Sequence, residues 1–132
     1  MVVLDTHILI WWVTGSEQLP KKAKDTINSI LDNNDNIIVS SISTWEIAML
    51  IKKNRLVLSM DVESWIKNVS DIPNLIFCPV DNEIALKATL LPGEFHKDPA
   101  DRIIVATARK YAIPVITSDQ KILEYKHVKS IC

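Results

Sequence analysis

Short apolar runs alternate along the chain with longer segments in which apolar residues recur at helical spacing. The short runs, most of them rich in Val and Ile, predict strands at 2–4, 36–40, 75–78, 115–117 and 128–131. The longer segments predict helices at 6–12, 20–31, 45–52, 61–69, 82–91, 99–111 and 120–124. Regular alternation of strand and helix is typical of an α/β fold with a mainly parallel sheet and right-handed crossovers.

The composition is that of a folded protein, since 48% of the 132 residues are hydrophobic and 23% are charged. A chain of this length predicts one domain, 1–132, that buries a single good core. The net charge of -1 excludes a bulk polycation, so any nucleic-acid binding must come from a local basic patch.

Cellular location is predicted from what the sequence lacks. No apolar run approaches the roughly 20 residues that span a bilayer, and no basic segment precedes the first apolar run. We therefore expect no membrane association and no signal peptide. Cys78 and Cys132 do not have the spacing of a metal site. A reduced, cytoplasmic setting is the simplest expectation.

Three acidic residues stand where predicted strands end or where the next helix begins. Asp5 follows the first strand, Asp119 follows the fourth, and Glu46 lies near the start of the helix after the second. Because the carboxyl ends of parallel strands share one edge of a sheet, these side chains are expected to meet there. Structural alternatives remain: Asp5 can cap the helix that follows it. Ser43 or Thr44 can cap the later helix, with Glu46 and Ser43 in a capping box.

A further group of charges lies at 96–102, just before an apolar helical run. Asp98 and Asp101 are three residues apart, so they share a helix face or straddle its first turn. A helix there can bring one or both carboxylates to the same sheet edge. Arg102 is predicted to brace Asp98 or an incoming phosphate, or to form a structural ion pair.

Several carboxylates in one place are unfavourable unless a cation joins them. Two like charges roughly 4 Å apart repel by about 4 kcal/mol when the effective dielectric constant is about 20. Oxygen ligands without matching Cys or His favour Mg²⁺ or Mn²⁺. Such a site suits phosphodiester hydrolysis, because the metal activates water and neutralises the phosphate.

Four motifs extend over nearly the whole chain. They are LDTH at 4–7 with the tryptophan pair at 11–12, STWEIA at 43–48, HKDPADRIIVATA at 96–108 and VITSD at 115–119. In kind and in order they resemble the motifs of PIN-domain ribonucleases, specifically the VapC-type toxins of bacterial and archaeal toxin–antitoxin pairs. The resemblance implies a three-layer sandwich, with a mainly parallel central sheet and helices on both faces.

The resemblance also implies an activity and its partners. The implied activity is RNA cleavage by a metal-dependent endoribonuclease toxin. The implied partner is a cognate VapB-like antitoxin that silences the toxin, which often forms a homodimer. The family's acidic quartet corresponds to Asp5, Glu46, Asp101 and Asp119, and the expected ligands of Mg²⁺ or Mn²⁺ are Asp5, Asp101 and Asp119. Asp101 is preferred to Asp98 because it is the acid that precedes the Ile-Ile-Val-Ala run.

Supporting residues follow from the same resemblance. Thr6 and Thr117 correspond to hydroxyl neighbours that orient the carboxylates or a water. Asp98 is expected behind the ligands or at the helix cap. Asn54 stands where the family often has glycine, and an Asn in the left-handed conformation serves the same backbone role.

Three other functions fit parts of the pattern. One is a PIN-like module that binds RNA or protein without catalysis, but the presence of all four acids argues against it. Another is a phosphatase with a nucleophilic Asp5, which usually needs a second acid at the position of His7. The third is base–acid catalysis through His96 or His127. We expect a structural hydrogen-bonding role for His96, and a surface or packing role for His127.

The surface that an antitoxin covers is expected to be apolar. Trp11 or Trp12, or the helix around Leu50 and Ile51, are the candidates for it. Core packing is the alternative for all four side chains.

Overall fold

The computed structural model describes residues Met1–Cys132, in which five strands alternate with seven helices as the pattern predicts. In chain order the elements are β1 Val2–Leu4, α1 Thr6–Thr14, α2 Lys21–Asp32, β2 Ile37–Ser40, α3 Ser41–Lys52, α4 Val62–Ser70, β3 Leu75–Cys78, α5 Asn82–Thr89, α6 Pro99–Tyr111, β4 Val115–Ile116, α7 Gln120–Leu123 and β5 Ser130–Ile131. None of these helices has both the length and the apolar character that crossing a membrane requires.

All five strands run parallel in one sheet, in the order β3-β2-β1-β4-β5. The central strand is β1, whose Leu4 lies opposite Val39 of β2 on one side and Ile116 of β4 on the other. Residues that follow these three positions therefore emerge together at the carboxyl edge of the sheet. The predicted α/β fold is confirmed, and the sheet is wholly parallel.

Two hydrophobic cores lie on opposite faces of the sheet, where a single core was expected, because successive side chains of a strand alternate between its faces. Val2 and Leu4 of β1 pack into the first core with residues of α1 to α4. Val3 packs into the second core with residues of α5 to α7. The sheet is thus the middle of three layers, which explains why its strands are apolar on both faces.

The helix α3 begins directly at the end of β2, without a loop. Ser40 is its N-cap, and the Ser40 hydroxyl accepts a hydrogen bond from the backbone N–H of Ile42 at 3.2 Å. The prediction that Ser43 or Thr44 caps this helix is therefore wrong, and so is the capping box with Glu46. Because the helix starts earlier than predicted, Ser43 and Glu46 lie inside it and their side chains are available for tertiary contacts.

Other boundaries differ from the predicted ones by a few residues. β4 ends at Ile116, and β5 is reduced to Ser130–Ile131. Only two residues of β4 pair with two residues of β5, so β5 is shorter than its apolar pattern predicts. Asn54 adopts the left-handed conformation just after α3, with a φ of 58°, as predicted.

The candidate antitoxin residues contact the protein's own core. Trp11, Trp12, Leu50 and Ile51 are all partly buried and pack against the first core. Core packing, the alternative considered for them, is therefore what the structure shows.

Candidate active site

Asp5 stands at the carboxyl end of the central strand and is held at both carboxylate oxygens. Oδ1 accepts a hydrogen bond from the backbone N–H of Thr6 at 2.8 Å, which caps α1. Oδ2 accepts a hydrogen bond from the Thr117 hydroxyl at 2.6 Å, just after β4. Burial raises the pKa of the Asp5 carboxyl, although both hydrogen bonds favour its charged form.

The Thr117 hydroxyl connects Asp5 to Asp119. It donates to Asp5 and accepts a hydrogen bond from the backbone N–H of Asp119 at 3.0 Å. Asp119 in turn caps α7, since its Oδ1 accepts a hydrogen bond from the backbone N–H of Lys121 at 2.9 Å. Thr117 is fully buried, so one hydroxyl fixes the two acids that follow β1 and β4 relative to each other.

On the other side of Asp5, Thr6 connects α1 to α3. Its hydroxyl donates a hydrogen bond to Glu46 Oε1 at 2.5 Å and therefore accepts the 2.8 Å bond that joins it to the Ser43 hydroxyl. Burial raises the pKa of the Glu46 carboxyl; the Thr6 hydrogen bond opposes this shift, and the charge of Asp5 adds to it. Ser43 is thus part of the site, a role that the sequence did not reveal because its Ser-rich context predicts capping.

Asp98 and Asp101 occupy different places at the N-terminus of α6. Asp98 is exposed and caps the helix: its Oδ1 accepts a hydrogen bond from the backbone N–H of Asp101 at 3.1 Å. Pro99 follows in the first turn, where a missing N–H does no harm. The side chain of Asp101 is only 14% exposed, so the two acids are not interchangeable.

Asp101 lies where several negative charges act together. Burial is the largest cause that raises the pKa of its carboxyl to about 8, followed by the charge of Asp5 and then those of Asp98, Asp119 and Glu46. Coulomb interactions weaken with distance and are screened by water, so these carboxylates lie in one neighbourhood partly shielded from solvent. The structure therefore brings the four acids of the predicted quartet together, with Asp98 at the exposed side.

His96 also lies in this neighbourhood. Its Nε2 is 3.0 Å from Oδ2 of Asp101, yet it lacks the alignment of a hydrogen bond, and this buried nitrogen has no partner in the protein. One ligand atom each from His96, Asp101 and Asp119 lies within 4.8 Å of the others. At this nitrogen, His96 does not form the structural hydrogen bond that was expected. The sequence feature that could have indicated a place for His96 in the site is its position in the same motif as Asp101.

Arg102 makes no ion pair with Asp98, so it does not brace that residue, whereas its predicted contact with an incoming phosphate stays a prediction. Its guanidinium donates to three backbone carbonyls, those of Ala88 at 2.8 Å, Phe95 at 3.0 Å and His96 at 3.2 Å. These acceptors belong to the end of α5 and to the loop before α6, so Arg102 fixes the loop that carries His96. A pattern of side chains contains no signal for bonds to backbone carbonyls, which is why these three contacts were not predicted.

The donor set fits a hard divalent cation. Carboxylate oxygens of Asp5, Glu46, Asp101 and Asp119 are the ligands that Mg²⁺ and Mn²⁺ prefer. The raised pKa of Asp101 indicates a charge that the protein alone stabilises poorly, and a cation would stabilise it. Asp101 and Asp119 present ligand atoms within 4.8 Å of each other, whereas both oxygens of Asp5 already accept hydrogen bonds.

The pKa of Asp101 predicts that the metal-free protein loses stability as pH rises. Its carboxyl has an ordinary pKa of 3.8 and a pKa of about 8 in the folded chain, so the folded state binds the additional proton between these values. The free energy of unfolding should therefore decrease from about pH 4 to about pH 8. Urea unfolding in EDTA measures this slope. Asp101→Asn, which resembles the neutral acid, should make it shallower.

The matched control is Asp32→Asn, which removes an exposed carboxylate at the end of α2. This variant should keep the wild-type slope. If Asp101→Asn kept it too, the carboxyl of Asp101 would not have the raised pKa.

The sequence and the fold of this chain are similar to those of known proteins. Residues 2–128 match the family model of the PIN domain. The chain is 29% identical over 130 residues to ribonuclease VapC22 of Mycobacterium tuberculosis (strain ATCC 25618 / H37Rv), which covers 98% of this chain and 95% of that protein. VapBC2 from Rickettsia felis, solved with a DNA fragment from its promoter, has a TM-score of 0.72 and 14% identity over 99% of this chain and 98% of its own. A toxin–antitoxin complex from Klebsiella pneumoniae has a TM-score of 0.69 and 19% identity over 100% of this chain and 97% of its own. Both of these structures have the same fold as this chain. Because the family model matches almost all of the sequence, the chain belongs to the PIN domain family.

Proposed function

We propose that this chain is a metal-dependent endoribonuclease that hydrolyses RNA phosphodiester bonds. The observation that carries the proposal is the gathering of Asp5, Glu46, Asp101 and Asp119 in one partly buried place, where the pKa of Asp101 is about 8. Such a group is unfavourable by itself and favourable around Mg²⁺ or Mn²⁺. Membership of the PIN domain family and similarity to a ribonuclease support RNA as the substrate.

Asp5, Asp101 and Asp119 are the proposed ligands of the ion. When bound, Mg²⁺ or Mn²⁺ supplies positive charge for the scissile phosphate and lowers the pKa of a water molecule. Thr117 keeps Asp5 and Asp119 in place, through its hydroxyl proton and its hydroxyl oxygen respectively. Hydrogen bonds of this kind orient ligands in advance, which strengthens metal binding.

Glu46 is the proposed general base that accepts a proton from the attacking water. Its raised pKa makes it a stronger proton acceptor than an exposed glutamate. The Thr6 hydroxyl holds Glu46 Oε1, and the buried Ser43 hydroxyl holds Thr6. Two hydroxyl groups thus keep the carboxylate in a defined orientation, which proton transfer requires.

Asp98 and Arg102 support the site without touching the reacting atoms. Asp98 caps α6 and adds negative charge beside Asp101. Arg102 holds the loop before α6 through its carbonyls. We propose that both act on the position of Asp101 and of its neighbour His96.

The chain is further proposed to be a cytoplasmic toxin, with a VapB-like antitoxin as its partner and a homodimer as its assembly. Similarity to ribonuclease VapC22 and a fold shared with solved toxin–antitoxin complexes support this assignment. Trp45, Leu86 and Leu90 are apolar and more than half exposed, at 58%, 60% and 68%. Contact with another chain would remove such side chains from water.

Asp101→Asn should lower RNA cleavage by about 100-fold or more, because losing a metal ligand removes several kcal/mol of transition-state stabilisation. The measurement is cleavage of labelled RNA by the purified protein with Mg²⁺, with Mn²⁺ and in EDTA. Because Asn is neutral, it removes the repulsion between residue 101 and the other carboxylates of the metal-free site. The variant should therefore stay folded, and the loss of cleavage would not reflect unfolding.

Two variants serve as controls for this experiment. Asp98→Asn keeps a side chain that caps a helix as well as Asp does, so it should retain at least about a tenth of the activity. Asp32→Asn should retain all of it. Undiminished metal-dependent cleavage by Asp101→Asn, or full wild-type cleavage in EDTA, would refute the proposed function.

Expression of the chain without an antitoxin should arrest cell growth, because unrestrained RNA cleavage stops protein synthesis. Asp101→Asn at the same protein level should allow growth, and optical density with an immunoblot measures both. Equal arrest by the two proteins would contradict a toxin that acts through this site. Normal growth with the wild type, without RNA cleavage in vitro, would indicate a PIN-like module that only binds RNA or protein.

A further inference from the structure

We propose that His96 is a ligand of the metal ion, and that its nitrogen biases the site toward Mn²⁺ over Mg²⁺. This inference rests on the proposed function, which supplies the ion but assigns only carboxylates to it. It adds one residue and one chemical preference to that site.

The distance between His96 and Asp101 suits two donors on one ion. His96 Nε2 lies 3.0 Å from Asp101 Oδ2. Neighbouring ligands of an octahedral ion, each about 2.1 Å from it, stand about 3 Å apart. Asp119 completes a group of three whose ligand atoms lie within 4.8 Å of one another. The geometry therefore places the His96 nitrogen beside the carboxylate oxygens of Asp101 and Asp119, which are both proposed ligands of the ion.

The nitrogen contacts Asp101 but forms no hydrogen bond in the protein's own structure. Nε2 of His96 exposes less than 1 Å² to solvent and has no hydrogen-bond partner. If His96 served only to orient Asp101, an aligned N–H···O bond between them would be expected. A buried polar atom without a partner is unfavourable, and binding a cation through its lone pair would remove that penalty.

His96 is held in place by contacts that do not involve Asp101. Its backbone carbonyl accepts a hydrogen bond from Arg102, as does that of Phe95. The Phe95 ring packs against the His96 ring with a centroid distance of 4.5 Å. The imidazole is thus positioned before an ion arrives, as a ligand should be.

A nitrogen ligand changes the preference of the site. Mg²⁺ favours oxygen donors and retains water, whereas imidazole is a good ligand for the transition metals. Mn²⁺ accepts carboxylates as well as imidazole. Replacing one oxygen position by His96 therefore favours Mn²⁺ relative to Mg²⁺.

Pulsed electron paramagnetic resonance of Mn²⁺ bound to the protein tests for a coordinated nitrogen. The wild type should show a strong nitrogen coupling, and His96→Gln should lose it. His7→Gln is the matched control, because His7 is the other histidine near Asp5 and Glu46; it should retain the coupling. Wild-type protein with ¹⁵N-labelled histidine should show the isotope change, which makes the test independent of how any variant folds.

Calorimetric titration of the same proteins with each metal tests the preference. His96→Gln should bind Mn²⁺ about 10-fold more weakly or worse, with a smaller loss for Mg²⁺, so the ratio of the two affinities falls. Equal losses for both metals would overturn the inference, since they indicate a residue that only positions Asp101.

The inference and the proposed function fail in different ways. If Mn²⁺ binds the wild type without nitrogen coupling while Asp101→Asn abolishes binding, His96 is not a ligand and the carboxylate site stands. If the wild type binds neither Mn²⁺ nor Mg²⁺, both are overturned.

Discussion

Repulsion among carboxylates at one edge of the sheet is the constraint on which the rest of the site depends. The wholly parallel sheet brings the ends of β1 and β4 side by side, and the buried hydroxyls of Thr6 and Thr117 hold Glu46 and Asp5 there. Asp101 experiences the charges of the other acids, which add to the effect of burial and raise the pKa of its carboxyl to about 8. A proton relieves the repulsion when no cation is present, and metal binding releases that proton. The same contacts therefore make the metal-free site unfavourable and the metal-bound site favourable.

Helix capping and metal chemistry are combined in the same residues. Asp5, Asp98 and Asp119 each cap a helix by accepting a backbone N–H. From the sequence, capping was an alternative to chemistry for Asp5. The structure makes the two compatible, because a carboxylate has two oxygens and a strand that leads directly into a helix leaves its cap at the sheet edge. The fold thus uses the helix starts to place the acids.

Much of this arrangement could be predicted from the sequence, and the exceptions have physical causes. Strands buried on both faces are apolar throughout, so the α/β pattern was visible. Several Ser and Thr residues can cap α3, and the choice of Ser40 depends on pairing with Cys78 of β3, which is a tertiary contact. Bonds from Arg102 to loop carbonyls, and the position of His96 that results, depend on loop conformation and have no sequence pattern.

A crystal structure of the protein with Mn²⁺, with anomalous scattering measured at the manganese edge, would locate the ion among the carboxylates. A strong anomalous peak is expected within coordinating distance of the carboxylates of Asp101 and Asp119, at the edge of the sheet where Asp5 lies. A well-ordered site without that peak, or manganese bound only elsewhere on the protein, would contradict metal binding by these carboxylates.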